Sequence, residues 1–202
     1  MSKLREIFRS EQDKVWEHLA EQWGGDYRRG SFAKRPQLTA FHKEWFILFD
    51  IDNRGKAGLY TRIRAPYRNS DSFYFRIFRR AIGMPPPWWP GVQDIEIGDP
   101  DFDKAYVIQG NHPEKIRELL YPPLIRRIIG WHVNIELHNR IDPSWVTHPE
   151  REGLSELYFE APGAISNIQQ MKDLYELFSA ILNQLCHLGS AYEDDPLSYR
   201  PQ

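Results

Sequence analysis

Residues 45–65 read Trp-Phe-Ile-Leu-Phe-Asp-Ile-Asp-Asn-Arg-Gly-Lys-Ala-Gly-Leu-Tyr-Thr-Arg-Ile-Arg-Ala. Two runs with the aromatic and β-branched residues typical of strands stand on either side of Asp52-Asn53-Arg54-Gly55, which has the composition of a turn. The stretch therefore predicts two strands, 45–52 and 58–65, joined as an antiparallel hairpin or as part of a meander. Such a short connection favours an antiparallel sheet, because parallel strands need a long crossover.

Further strands and helices are predicted outward from this hairpin. Aromatic, β-branched or alternating segments predict strands at residues 38–42, 72–79, 92–97, 105–109, 131–138 and 154–160. Apolar spacing, capping residues and a first-turn proline predict helices at residues 3–23, 113–120 and 167–188, with another turn or two at 124–129. This order predicts an α+β fold, an antiparallel sheet of about six to eight strands with an N-terminal helix, a central helix and a long C-terminal helix.

Two predicted elements carry detailed expectations. In the strand at 131–138, the side chains expected on one face are Trp131, Val133, Ile135 and Leu137. In the last helix, the expected apolar stripe is Ile168, Met171, Leu174, Phe178, Ile181, Leu185 and Leu188. Ser166 is the expected N-cap of that helix, and Gly189 is the expected C-terminal cap.

A proline-rich stretch interrupts the predicted strands at residues 83–91, Gly-Met-Pro-Pro-Pro-Trp-Trp-Pro-Gly. Four prolines remove backbone donors, so we expect an irregular loop inside a single domain that covers residues 1–202. Trp88 and Trp89 are interaction candidates if they are exposed, since large aromatic side chains are enriched at interfaces. The alternative is that they fold back over one face of the sheet.

The composition excludes several classes of protein. Hydrophobic residues at 41% and aromatic residues at 14% are enough for a sizeable core, which argues against disorder. No apolar run approaches the roughly 20 residues that span a bilayer, and the N-terminus lacks the apolar core of a signal peptide. The single cysteine, Cys186, cannot form an internal disulfide. We therefore expect a cytoplasmic protein.

The acidic segment, which we define as residues 94–103, holds five carboxylates: Asp94, Glu96, Asp99, Asp101 and Asp103. Three of them match the first ligand positions of an EF-hand loop, but Lys104 and Gly110 occupy positions that require glycine and glutamate. A looser divalent-cation site stays open. The alternative is a turn in which aspartates accept hydrogen bonds from nearby backbone amides and Phe102 anchors the turn in the core.

Residues 54–80 are rich in arginine, and Arg62, Arg64 and Arg76 are expected on one face of the sheet. Guanidinium groups in such a row bind phosphate or carboxylate groups, so these three residues form a candidate anion site. The interleaved aromatic residues that resemble a stacking surface for single-stranded nucleic acid are Tyr60, Tyr67, Tyr74 and Phe78. The pI of about 6.4 makes nucleic acid an unlikely partner. The other alternative is that the arginines pair with the acidic segment.

No complete catalytic or cofactor motif is found in the sequence. It lacks a Gly-x-Ser-x-Gly elbow, a phosphate-binding loop and a His-Glu-x-x-His pair. His132 and His138 are too far apart along one strand to bind the same metal ion. We therefore expect neither a metal nor a cofactor.

Three stretches resemble a family of uncharacterised bacterial proteins: residues 59–67, Leu-Tyr-Thr-Arg-Ile-Arg-Ala-Pro-Tyr; 93–103, Gln-Asp-Ile-Glu-Ile-Gly-Asp-Pro-Asp-Phe-Asp; and 185–196, Leu-Cys-His-Leu-Gly-Ser-Ala-Tyr-Glu-Asp-Asp-Pro. The resemblance covers most of the chain. It implies a bacterial, cytosolic, single-domain protein, and it assigns no activity.

These observations lead to three functional hypotheses. The first is a non-enzymatic interaction or ligand-binding domain that acts with a protein partner or as a homo-oligomer. The second is an enzyme for an anionic, phosphorylated substrate, in which the arginines bind the substrate and carboxylates hold a divalent ion. The third is single-stranded nucleic-acid binding through residues 54–80.

Overall fold

A computed structural model describes residues 3–30, 35–80, 94–132, 135–140 and 153–192, with side chains from residue 12 onward. The helices in these ranges are α1 Lys3–Gln22, α2 Pro100–Ala105, α3 Pro113–Leu119, α4 Pro123–Trp131 and α5 Ile168–His187. The strands are β1 Asp26–Arg28, β2 Gln37–His42, β3 Trp45–Asn53, β4 Leu59–Arg68, β5 Phe75–Arg79, β6 Tyr106–Gly110, β7 Glu136–Arg140 and β8 Leu154–Pro162.

The strands form one eight-stranded sheet in the order β1-β2-β3-β4-β8-β7-β5-β6, and every neighbouring pair is antiparallel. The predicted α+β class and antiparallel sheet are therefore confirmed. Strand β8 joins the hairpin half of the sheet to the half that contains β5, β6 and β7. Within the described ranges, no helix has both the length and the apolar composition that crossing a membrane requires.

The hairpin predicted from residues 45–65 is present as β3 and β4. Asp52 is paired with Tyr60 in its register. The turn is closed by the Arg54 backbone N–H, which donates to the Gly58 carbonyl at 2.9 Å. Gly55 has a φ of 62°, a left-handed conformation that glycine adopts without strain, as the turn prediction requires.

The core lies between one face of the sheet and the helices. Alternate strand residues such as Phe49, Ile63 and Phe159 are fully buried in one cluster with Leu174 and Phe178 of α5. The predicted stripe of α5 is confirmed at Met171, Leu174, Phe178, Ile181 and Leu185, all fully buried. The two exceptions are at the ends of the stripe: Ile168, which begins the helix, is 41% exposed, and Leu188, just after the helix, is only partly buried.

The strand predicted at residues 92–97 is wrong over its described part, residues 94–97. This segment follows the edge of β6 but makes only local contacts with it. The Ile95 N–H donates to the Ile108 carbonyl at 2.8 Å, and Asp94 Oδ1 accepts from the Ile108 N–H at 3.0 Å. Because the Asp94 side chain, and not a backbone carbonyl, accepts from Ile108, the segment does not form a regular ladder of backbone hydrogen bonds with β6.

The strand predicted at residues 131–138 begins too early. Trp131 ends α4 and is 56% exposed, whereas β7 begins at Glu136. The helix continues because Ile125, Ile128 and Ile129 bury one helical face, a pattern stronger than the turn or two expected there. The predicted alternation holds from Ile135 onward, while Val133 lies outside the described residues.

Three smaller differences concern local structure. The turn expected within the acidic segment contains α2, so the centre of the chain has three short helices instead of one helix and a further turn or two. The N-cap of α5 is Asn167, whose side chain accepts from the Gln170 N–H at 2.9 Å, and not Ser166. The short strand β1 was not predicted, because its three residues show no alternating pattern.

Candidate functional site

The sheet face opposite the helices carries an array of ionisable side chains, which we call the charged face. Residues paired across antiparallel strands project to the same side. The register therefore places two cross-strand rows on this face, first Asp50, Arg62, Glu160 and Glu136, then Arg64, Tyr158, His138 and Arg76. The three candidate arginines therefore lie on one face of the sheet, as predicted.

Arg62 and Arg64 share one buried carboxylate. Arg62 Nε donates to Asp50 Oδ1 at 2.7 Å, and Arg64 Nη2 donates to Asp50 Oδ2 at 2.6 Å. Asp50 is only 5% exposed. Its two oxygens are therefore neutralised by two guanidinium groups, a largely dehydrated arrangement in which each charge depends on the others.

A second cluster extends the charged face beyond Asp50. Arg54 donates to Asp52 at 3.0 Å and makes a two-pronged contact with Glu160. Burial raises the pKa of Asp52, but Arg54, Arg62 and Arg35 outweigh it and hold that pKa below its usual range. Asp52 is therefore ionised in the folded protein and contributes to stability above its ordinary pKa.

Arg76 stands apart from the other two candidate arginines. It lies on β5, three strand spacings or about 14 Å from Arg64 on β4. Its Nη2 donates to Glu136 Oε1 at 2.7 Å. Since the three predicted arginines already contact carboxylates and are this far apart, they do not surround a single small anion.

His138 lies between Arg76 and Tyr158 and is held neutral. Its side chain is 15% exposed, and its Nδ1 lies 3.7 Å from Glu136 Oε1. Burial lowers the pKa of His138 from 6.5 to about 4. The buried nitrogens in this row without a hydrogen-bond partner among the described residues are Arg64 Nε, Arg76 Nε and His138 Nδ1.

The shifted pKa of His138 predicts a pH-dependent stability. The unfolded chain takes up a proton at this imidazole below pH 6.5, whereas the folded protein does so only near pH 4. Stability present above pH 6.5 is therefore lost as the pH falls, by about 2 kcal/mol between about pH 7.5 and pH 5. Urea unfolding should show a smaller loss in His138→Gln, while exposed His18→Gln should behave like wild type. An unchanged pH dependence in His138→Gln would contradict the assignment.

The acidic segment serves as local scaffold. Asp99 accepts from the Phe102 N–H at 3.2 Å and caps α2. Asp103 accepts from the N–H groups of Ile97 and Gly98 at 2.9 and 3.1 Å. Phe102 is 6% exposed, so the predicted anchor is confirmed. In the described part of the chain, no three His, Cys, Asp or Glu side chains are placed to hold a metal ion.

The alternative that the arginines of residues 54–80 pair with the acidic segment is confirmed at Arg80 and wrong for Arg62, Arg64 and Arg76. The register of β3 and β4 places Asp50 next to Arg62 and Arg64, and Arg76 contacts Glu136 on the neighbouring strand β7. The acidic segment pairs instead with other arginines, Asp94 with Arg80 at 2.5 Å and Asp99 with Arg126 at 3.0 Å.

Two other predicted surfaces can be placed. Trp88 and Trp89 lie outside the described residues. Of the four aromatic residues suggested as a stacking surface, Tyr67 is 1% exposed on the core side, where its hydroxyl accepts from Asn139 at 2.8 Å. Tyr60 is on the charged face, with the Arg54 guanidinium 4.4 Å from its ring centroid. The four rings therefore do not form one continuous platform.

A site that the sequence did not predict lies beside α5. It is a solvent-open groove of about 640 Å³, which we call the aromatic groove; its lining residues are Gln22, Trp23, His42, Lys172, Tyr175, Glu176 and Ser179. The Trp23 ring is stacked between Tyr175 at 4.5 Å and Phe49 at 5.6 Å. The wall of the groove is therefore the stacked pair of Trp23 and Tyr175, with the fully buried Phe49 ring packed against Trp23 from the core.

The polar groups of the aromatic groove are positioned by the surrounding fold. His42 Nε2 lies 3.2 Å from Asn183 Oδ1, and the Tyr175 hydroxyl donates to the Phe41 carbonyl at 2.7 Å. Burial raises the pKa of Tyr175, which keeps its hydroxyl neutral. Ser179 is 9% exposed, and its hydroxyl is buried beside that of Tyr175, an interaction that partly offsets the rise in the pKa of Tyr175.

Helical periodicity brings the α5 residues of the groove together. Lys172, Glu176 and Ser179 are four and three residues apart, so they lie along one side of the helix, next to the apolar stripe. This polar flank was the available sequence signal. Trp23 and His42 come from elements more than 100 positions earlier, and no local motif connects them with α5.

Comparison with known proteins gives no relative for this chain: no family model, no curated protein and no solved structure matches it. Its function is inferred from the chemistry of the two surfaces described above.

Proposed function

We propose that this protein is a non-enzymatic ligand-binding domain whose site is the aromatic groove. The carrying observation is that the groove places the rings of Trp23, His42 and Tyr175 beside the charged ends of Lys172 and Glu176. Ligand sites are typically clefts of about 300–1,000 Å³ in which aromatic walls surround a few placed polar groups. The groove, at about 640 Å³, combines these features.

The enzyme hypothesis has weaker support. It requires arginines free to receive an anionic substrate and carboxylates free to hold a cation. Arg62, Arg64 and Arg76 are all engaged by carboxylates, and Asp99 and Asp103 bind backbone amides. Nucleic-acid binding through residues 54–80 is disfavoured by the same ion pairs.

We also propose that the chain belongs to the bacterial family that it resembles and that it works in the cytoplasm. The support is the three stretches quoted above and the single cysteine, Cys186, which is partly buried. A homo-oligomer or protein partner stays a prediction, which light scattering of the purified protein tests.

Filling the groove should abolish ligand binding. In Ser179→Leu, the larger side chain replaces the buried hydroxyl and projects into the space that the ligand needs. A thermal-shift screen of small aromatic metabolites should yield compounds that raise the Tm of the wild type but not of Ser179→Leu.

Exposed Ser166→Leu is the matched control and should retain every wild-type shift. Tyr175→Leu, which removes one ring of the groove, serves if the Ser179→Leu variant folds poorly, and it should weaken binding. Compounds that stabilise Ser179→Leu as much as the wild type, or a screen without hits, would contradict the proposal.

A further inference from the structure

Two opposite charges stand on the groove side of α5 without an ion-pair partner. Lys172 and Glu176 both line the groove, and within the described residues neither has an oppositely charged group within 4.0 Å. They are one helical turn apart, in the order Lys before Glu, which is the weaker orientation for pairing along a helix. Both charges are therefore available to a ligand.

The charges and the hydroxyl lie at different depths. Glu176 is exposed, Lys172 is half-buried and Ser179 is buried. An ionic group is much less costly to bind at a wet rim than in a dry interior. The charged end of a ligand therefore fits the rim beside Lys172 and Glu176, and its uncharged part fits the deeper groove.

The deeper groove suits an aromatic ring. The rings of His42 and Tyr175 are nearly perpendicular, at 85°, with centroids 6.4 Å apart. His42 already stacks on Trp45, and Tyr175 stacks on Trp23, so a third ring would use the faces that these contacts leave open, stacked on one and edge to face with the other. Trp23 is less available, because both of its faces are already stacked.

We infer that the ligand of the aromatic groove is a small aromatic zwitterion, for which a free aromatic α-amino acid is the simplest example. This inference rests on the proposed function. The ligand's carboxylate contacts Lys172, its ammonium group contacts Glu176, and its ring occupies the corner between His42 and Tyr175. A single charge of either sign satisfies only one of the two rim residues.

Isothermal titration with four compounds that carry the same ring tests this inference. The probes are L-phenylalanine, phenethylamine, 3-phenylpropionate and neutral 2-phenylethanol. We expect L-phenylalanine to bind at least about tenfold more tightly than each of the other three, a difference of about 1.4 kcal/mol. Equal affinities, or tighter binding of a single-charge probe, would overturn the inference.

Charge-removing variants assign the two ends of the ligand. Lys172→Gln should weaken L-phenylalanine and 3-phenylpropionate but not phenethylamine, and Glu176→Gln should weaken L-phenylalanine and phenethylamine but not 3-phenylpropionate. Exposed Lys104→Gln and Glu17→Gln, away from the groove, should change nothing. Equal weakening of all probes by one variant would contradict the assignment.

The outcomes separate the ligand class from the site. If 2-phenylethanol binds as tightly as L-phenylalanine and Ser179→Leu abolishes the binding of both, the groove is a ligand site that does not discriminate by charge. The inference of a zwitterionic ligand then fails, while the proposed function stands. If L-phenylalanine binds the wild type and Ser179→Leu equally, both the inference and the groove assignment fail.

Discussion

Replacing Asp50 with Asn lowers the free energy of unfolding by about 3 kcal/mol, because one buried carboxylate neutralises two arginines. Asp50 is 5% exposed, and its partners Arg62 and Arg64 have side chains only 19% and 21% exposed. Asparagine keeps the shape but leaves two dehydrated guanidinium groups with less compensating charge. Urea denaturation at neutral pH measures the loss.

The control for this prediction is Asp101→Asn, since Asp101 is exposed at the start of α2 and should matter by less than about 0.5 kcal/mol. If Asp50→Asn costs no more than Asp101→Asn, the charged face is not a coupled network.

Gly25→Ala is expected to destabilise the fold by about 3 kcal/mol, because this glycine lies against the backbone of β2. A Cβ at position 25 would lie 1.8 Å from the Thr39 carbonyl oxygen, and a backbone atom cannot move aside as a side chain can. The end of α1 would be displaced from β2. Thermal unfolding measures the loss, and ligand binding should weaken too, since Trp23 is two residues away.

Neighbouring Gly24→Ala separates this contact from backbone strain. Gly24 has a φ of 62°, and a Cβ there would meet nothing within 4 Å. Alanine at position 24 therefore lowers the stability only through the strain of a left-handed backbone conformation, which is about 1 kcal/mol. Equal losses of stability in the two variants would show that the close approach of residue 25 to the β2 backbone is not the cause of the loss.

Much of the fold could be predicted because its signals are local. The turn at 52–55 fixed the central hairpin, and the apolar spacing of α5 identified its buried face. The errors at residues 92–97 and 131–138 arose where tertiary contacts decided the outcome. Asp94 replaces a backbone acceptor at the edge of β6, and three isoleucines hold α4 in a helix as far as Trp131.

The sites were harder to predict than the fold. Strand alternation placed Arg62 and Arg64 on one face, but their shared partner Asp50 depends on the register between β3 and β4. The aromatic groove depends on long-range packing of α1, β2 and α5.

The two surfaces suggest a division of roles within one sheet. On the charged face, Arg62, Arg64 and Arg76 each contact a carboxylate, so this face holds strands together and has little capacity for a further anion. The aromatic groove, in contrast, combines aromatic rings with Lys172 and Glu176, and within the described residues neither of these has an oppositely charged group within 4.0 Å. This contrast is why we assign ligand binding to the groove.

A backbone amide chemical-shift map of the ¹⁵N-labelled protein, recorded while L-phenylalanine is added, tests the groove assignment most directly. We predict saturable shifts centred on Trp23, His42, Lys172, Tyr175 and Ser179, with little change at Arg64 and Arg76. Saturable shifts centred on the charged face, or no saturable shifts with any compound that raises the Tm, would contradict it.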